Sequence, residues 1–252
     1  MKPLHMLFTR VAASFGYELT PLPVKSERLD IHLGRLFGSL QINCVLDVGA
    51  NRGQYGSFLR QMGYKGRMVS FEPVEDDFAV LCQRAAADPE WDTYHFALGD
   101  RDRITQMNVT SDSLFNSFLT PNKFIRRQGL RIDHVEEVQE RRLDTVWDEI
   151  IAPMQEPRIY VKVDTQGYDR QVFEGGEKAL TKILALQSEV SVKPVYDEMP
   201  YFLDAISALY KRGFELTGLF PVARDNALRV VEFDCVMVRT DAVGETKSLQ
   251  AP

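Results

Sequence analysis

Cysteine is scarce in this 252-residue chain: Cys44, Cys82 and Cys235 are an odd, widely spaced set with no C-x-x-C. That excludes a disulfide-stapled secreted scaffold and a thiolate zinc cluster, and predicts reduced thiols in a cytoplasmic protein. The four histidines (His5, His32, His95, His134) never pair at i,i+3 or i,i+4, so a zinc site on one helix face is excluded too. Positive charge is in deficit: 30 basic against 36 acidic residues leave −6, without the basic footprint of a nucleic-acid binder. There is no 18-residue apolar run to cross a membrane. The opening Met1–Arg10 is too short and too broken for a secretory hydrophobic region. What remains, 44% apolar and 26% charged, is the composition of one large globular α/β domain with small additions.

The chain is organised around residues 43–56. Cys44-Val45-Leu46-Asp47-Val48 reads as a buried parallel strand. Gly49, Gly53 and Gly56 follow, and Tyr55, Phe58, Leu59 and Met62 have helical spacing. Strand, glycine turn, helix is a nucleotide-binding layout, because the turn exposes backbone N–H groups and the helix N-terminus favours negative atoms. Yet Gly49-x-Asn51-x-Gly53 lacks the second glycine of the dinucleotide fingerprint, and Asp47 at the strand end would repel a pyrophosphate. A ligand with a cationic end suits it better, which suggests S-adenosylmethionine. A ligand-free βα turn is the plain alternative. A second strand, Arg67–Phe71, ends in Glu72-Pro73, and an acid at that tip can bind both ribose hydroxyls.

In chain order, residues 1–42 form an N-terminal helical cap or extension, with helices around Leu4–Val11 and Glu27–Phe37. A helix over Asp76–Ala87 precedes a third strand, Thr93–Leu98, closed by Gly99-Asp100. Three strands alternating with helices predict a doubly wound, mostly parallel sheet with helices on both faces and its ligand at the strand C-termini. Asp100 could then accept from an adenine amino group, or simply make a turn. Residues 101–142 read as the least regular part, a substrate-side insertion with a hint of strand at Ile104–Thr110 and a short edge strand near Val135 and Val138. Arg158–Asp164 is a fourth core strand and Leu184–Val190 a fifth, bearing Glu189. Polar residues near the ends of apolar strands are hard to explain as packing. Phe214–Phe220 and Val230–Val238, nine residues apart, predict an antiparallel hairpin closing a seven-stranded sheet. Residues 241–252 are a polar tail.

Five segments resemble the FkbM-type S-adenosylmethionine-dependent methyltransferases: Leu46-Asp47-Val48-Gly49-Ala50-Asn51-Arg52-Gly53, Ser70-Phe71-Glu72-Pro73, Phe96-Ala97-Leu98-Gly99-Asp100, Arg142-Leu143-Asp144-Thr145 and Val161–Asp169. Phe173-Glu174-Gly175-Gly176 and Glu189 extend the match, in family order, over residues 43–240. Gln166 stands where many members have glutamate. The resemblance implies a Rossmann-like class I methyltransferase fold and methyl transfer to a hydroxyl of a sugar or other secondary metabolite. By position, Asp47 and the Gly49, Ala50, Asn51, Gly53 turn would hold the methionine part. Glu72-Pro73 would meet the ribose, and Ala97, Leu98 and Asp100 the adenine side.

Methyl transfer needs an aligned acceptor oxygen and a route for its proton. Asp164 is the expected base or orienting group, with Lys162, Glu189 and His134 in support. No protein metal site is expected, although Asp164 and Glu189 could instead share Mg²⁺ with acceptor oxygens. An NAD-linked oxidoreductase and a non-catalytic cofactor-binding protein are the competing classes. The expected partner is a small-molecule or glycan hydroxyl, and the sequence leaves the oligomeric state open, a homodimer included.

Overall fold

The structure, a computed structural model, describes residues 28–242. The expected Leu4–Val11 helix and most of the 241–252 tail lie outside those residues. In chain order the first half contains α1 (Leu29–Leu40), β1 (Cys44–Val48), α2 (Gln54–Gln61), β2 (Arg67–Phe71), α3 (Glu75–Ala85) and β3 (Trp91–Tyr94). Next come β4 (Ala97–Leu98), β5 (Arg103–Thr110), α4 (Lys123–Arg126), β6 (Ile132–Arg141) and α5 (Leu143–Ile151). The second half holds β7 (Ile159–Val163), α6 (Asp169–Gly175), α7 (Glu177–Leu180), β8 (Ile183–Ser191), α8 (Phe202–Tyr210), β9 (Phe214–Arg224) and β10 (Val230–Arg239).

Seven strands form one sheet in the order β3-β2-β1-β7-β8-β10-β9. The first five are parallel, and β10 runs antiparallel to both β8 and β9. β1 and β7 are buried along their whole length, as their apolar runs require of strands covered on both faces. On one face Leu46, Val48, Val161 and Val163 pack with α5 through α8, around Leu143, Val146, Phe173 and Leu209. On the other, Val45, Tyr160 and Ala185 pack with α1, α2 and α3 through Leu33, Phe37, Leu59 and Leu81. The architecture is the expected mostly parallel sheet closed by an antiparallel hairpin, and the turn between β9 and β10 is five residues rather than nine.

Two expectations change. Thr93–Leu98 is two strands, not one: β3 stops at Tyr94, Phe96 packs its ring 5.5 Å from those of Phe71 and Tyr94, and Ala97–Leu98 pairs with β6. That pairing belongs to a second sheet, β4-β6-β5, so the stretch expected to be least regular is largely an antiparallel ribbon. The hinted strand at Ile104–Thr110 and the edge strand near Val135 and Val138 are its two long strands, faint in the sequence because few of their side chains are buried. The ribbon carries Ser113–Phe118 over the C-terminal ends of the main strands, where Ser113, Leu114, Asn116 and Phe118 join one cavity wall.

Candidate active site

Side chains alternate across a strand, and on β1 the odd residue out is Asp47, on the α1–α2 face. Register places it opposite Lys162 of β7, and Lys162 opposite Gln187 of β8. Two residues further along the same face lie Asp164, just past β7, and Glu189, which pairs with Asp234 of β10. Glu232 continues the line on β10. The strands thus bring two cross-strand rows of polar side chains, Asp47–Lys162–Gln187 and Asp164–Glu189–Asp234, to the carboxyl end of the sheet.

One ammonium serves most of this charge. Lys162 Nζ lies 3.4 Å from Asp47 Oδ1 and 3.3 Å from Asp164 Oδ2, and 5.2 Å from the centre of the Tyr55 ring. Burial alone would lower its pKa, but Asp164 and Asp47 raise it above its ordinary value. Lys162 therefore stays protonated and cannot take up a proton near neutral pH. Ser70 Oγ donates to Asp47 Oδ2 at 3.3 Å and in turn accepts from Trp91 Nε1 at 3.0 Å. Asp47 Oδ1 is buried and has no hydrogen-bond donor. Tyr55 and Tyr160 both donate to Gln187 Oε1, at 3.1 and 2.9 Å. Burial, then repulsion from Asp164 and Glu232, pushes the Glu189 carboxyl well above its usual range. Burial also raises Asp234, to about 6.

The glycine turn follows β1. Gly49 has φ +77°, and a Cβ there would lie 2.1 Å from the Asp164 carbonyl oxygen, so β1 and β7 approach closely only because the side chain is missing. Asn51 adopts φ +48°, a region asparagine tolerates better than most residues, which explains how the turn manages without a glycine there. Its backbone N–H donates to Glu72 Oε2 at 2.8 Å, while Val74 N–H donates to Oε1 at 2.9 Å. Burial raises Glu72 to about 8, and the two N–H bonds oppose that rise. Asp77, not anticipated from the sequence, ties the turn to the insertion by accepting from Arg52 Nε at 2.7 Å and Asn116 Nδ2 at 3.1 Å.

Two cavities meet here. The first is lined by Gly49, Asn51, Glu72, Pro73, Ala97 and Leu98, with Ser113, Asn116 and Phe118 of the insertion opposite. The second lies on the α1–α2 face between Ala50, Tyr55, Phe58 and the polar residues Lys162, Gln187, Glu189 and Asp234. Gly49, Asn51, Leu114 and Asp164 belong to both walls. Asp47 sits behind Lys162, and Gly53 packs against Trp91 rather than lining either space. Asp100 and His134 stand apart. The strand break at His95 carries Asp100 out of line with the tips, where its carboxylate lies 3.4 Å from Arg101 Nε. His134 is exposed on β6, 3.7 Å from Glu136. Between Asp164 and Glu189, where Mg²⁺ was the alternative, lies the side-chain amide of Gln166. Among the described residues no group of three or more His, Cys, Asp or Glu is arranged to hold a metal ion.

The first cavity fits S-adenosylmethionine chemically. Gly49 and Asn51 line it with turn backbone, and Glu72, held by two backbone N–H groups, keeps lone pairs for hydroxyls. Residues 47–216 match the Methyltransferase FkbM domain. The 2-O-methyltransferase NoeI of Sinorhizobium fredii (strain NBRC 101917 / NGR234) is 28% identical over 186 residues, covering 70% of this chain and 74% of NoeI. Among solved structures, magnesium protoporphyrin IX methyltransferase (ChlM) from Synechocystis PCC 6803 with bound SAM aligns with a TM-score of 0.45 at 11% identity, over 94% of this chain and 82% of that one. An rRNA methylase from Streptococcus thermophilus aligns with a TM-score of 0.43 at 14% identity, over 85% of this chain and 98% of that one. The fold is the Rossmann-like class I methyltransferase fold, and the chain belongs to the FkbM family of S-adenosylmethionine-dependent methyltransferases.

Proposed function

We propose that the protein is an O-methyltransferase that methylates a hydroxyl of a sugar or another secondary metabolite, with residues 43–240 as the catalytic domain and 101–142 as its substrate-side insertion. The observation that carries this reading is the shared wall of the two cavities: Asp164 faces both the cofactor space and the polar space beside it. Bound in the first cavity, S-adenosylmethionine would supply an electrophilic methyl group. Gly49 and Asn51 of the turn would hold its amino-acid end, with Asp47 behind them fixing Lys162, and Glu72 would hold its ribose. Asp164 accepts the acceptor hydroxyl's proton, or a hydrogen bond from it, on a carboxylate oxygen. Lys162 fixes that carboxylate as a permanent cation. Glu189, whose carboxyl burial and acidic neighbours push well above the usual range, faces the second cavity as a hydrogen-bonding partner for an acceptor oxygen. Oxygen as the acceptor atom draws support from the 2-O-methyltransferase relative.

Calorimetry with S-adenosylhomocysteine and with NAD, followed by methyl transfer from labelled S-adenosylmethionine to a panel of sugars and other alcohols, tests this. Binding of S-adenosylhomocysteine alone and methyl ethers as products are expected. Binding of NAD instead, or methyl transfer only to nitrogen or carbon acceptors, would overturn the proposal.

A further inference from the structure

Four contacts hold Gln166, two residues past Asp164. Its Nε2 donates to Asp164 Oδ1 at 3.0 Å and to Glu189 Oε2 at 3.2 Å. Its Oε1 accepts from Tyr196 Oη at 3.1 Å, and its backbone carbonyl accepts from Ser117 Oγ at 2.8 Å. The two carboxylates dictate the amide's orientation: turned over, Oε1 would face two acceptors and leave both without a donor. The backbone takes φ +52°, a left-handed conformation that costs energy in a non-glycine residue. Ser117 belongs to the insertion, and Tyr196 also lies 2.8 Å from the Phe115 carbonyl oxygen. Gln166 is therefore anchored from the insertion side and aimed at the carboxylate pair.

Asp164 Oδ1 and Glu189 Oε2 thus share one donor, while the other Asp164 oxygen faces Lys162. In many enzymes a divalent cation fills that place, because hard oxygen ligands suit it. Here the place between them is filled by a neutral side chain that is part of the fold. We infer that Gln166 is a positioning residue that takes the role of a bridging divalent cation, setting Asp164 and Glu189 side by side so that the site works without a metal. The inference rests on the proposed role of Asp164 for its catalytic meaning. Its geometric content, the absence of a cation site because an amide occupies it, stands separately.

The test uses the full chain saturated with S-adenosylhomocysteine, titrated with MnCl₂ by calorimetry and by electron paramagnetic resonance. Wild type is expected to bind no Mn²⁺ stoichiometrically. Gln166→Glu places a third carboxylate in the pair and should bind one Mn²⁺ at least about tenfold more tightly than wild type, with the gain lost in Gln166→Glu/Glu189→Gln. Gln166→Ala should lower kcat for an alcohol that wild type methylates by about tenfold or more, with KM for S-adenosylmethionine unchanged. The inference is overturned if wild type binds Mn²⁺ and Glu189→Gln abolishes it. It is equally overturned if folded Gln166→Glu gains no Mn²⁺ affinity, or if Gln166→Ala turns over like wild type. Loss of S-adenosylhomocysteine binding by wild type would instead strike the methyltransferase reading, and the Mn²⁺ comparison would still be read without cofactor.

Discussion

The backbone N–H of Asn51 donates to Oε2 of Glu72 at 2.8 Å, joining the glycine turn after β1 to the acid that ends β2. The contact holds the turn and presents the carboxylate in one step. With the second oxygen occupied by Val74 N–H, the Glu72 carboxylate cannot rotate, and its spare lone pairs point in a fixed direction. Replacing Glu72 by Ala removes the charged acceptor and frees the turn. At pH 9, above the value of about 8 that burial gives the carboxyl, the expected loss of S-adenosylhomocysteine affinity is roughly 10- to 100-fold by calorimetry, the scale of a hydrogen bond to a charged group. An unchanged affinity would remove Glu72 from the cofactor site.

The same burial makes Glu72 a pH liability in the empty protein. Its carboxyl rises from an ordinary 4.5 to about 8 on folding. Below the lower value both folded and unfolded chains carry it protonated, and nothing changes. Between the two values only the unfolded chain ionises, so the unfolded state binds fewer protons and stability falls as pH rises. Wild type is expected to lose on the order of a few kcal/mol between pH 5 and 9 from this group. Glu72→Gln should flatten that part of the curve, as read from urea denaturation at several pH values. A parallel curve for the two proteins would contradict the assignment.

Gly49 and Asn51 both have positive φ, but for different reasons, and substitution should separate them. Gly49→Ala forces a methyl onto the Asp164 carbonyl, which is backbone and cannot step aside. A destabilisation of about 1–3 kcal/mol or more is expected, with loss of cofactor binding, since β1 and β7 must part. Asn51→Gly keeps the conformation and should remain within about 1 kcal/mol of wild type, losing the Nδ2 bonds to Ser113 and Asp77 and the bond Oδ1 accepts from Gln54. Thermal melts with and without S-adenosylhomocysteine distinguish the two.

Where the sequence was readable, a residue's environment followed from its neighbours in the chain. β1 and β7 are covered on both faces, so one polar interruption in each apolar run, Asp47 and Lys162, stands out and marks the site. Gln187 and Asp234 carry the same signal, polar positions two before Glu189 and two after Glu232 in otherwise apolar strands. Alternation along β8 and β10 would have found them. β5 and β6 were hard to read because a ribbon with one exposed, charged face has little hydrophobic rhythm. The split at His95 depends on Ala97 and Leu98 choosing a partner about forty residues away in β6, which no local pattern encodes. Gln166 was visible only as a departure from the family's glutamate. Its importance comes from Glu189 and Tyr196, which approach it only in three dimensions.

Lys162 answers to Asp47 on one side and Asp164 on the other, nearly buried between them. Lys162→Met keeps the stem but strands the buried Asp47 carboxylate and leaves the partly exposed Asp164 without its cation. Removing one partner of a buried ion pair typically costs about 3–5 kcal/mol. The loss should shrink as pH falls, because burial already raises the Asp47 pKa and protonation relieves the unpaired charge. Denaturation of the variant at pH 5 and pH 8 should show the larger deficit at the higher pH. A deficit independent of pH would mean that the lysine acts through packing alone.

Asp164→Asn isolates the chemical step. The substitution keeps size and shape, and the backbone bond from Asp164 N–H to the Val48 carbonyl is untouched. Lys162 still has Asp47. What changes is the group facing both cavities: an amide oxygen can orient a hydroxyl but cannot take its proton. S-adenosylhomocysteine affinity is expected to stay within about threefold of wild type, as its proposed contacts run through Glu72 and the glycine turn. Turnover of an accepted alcohol should fall roughly 10²- to 10⁴-fold, the range a general base contributes. A fall of less than about tenfold would assign Asp164 to orientation, with the proton leaving directly to water. A matching collapse in cofactor affinity would mean that Asp164 serves the first cavity rather than the boundary between the two.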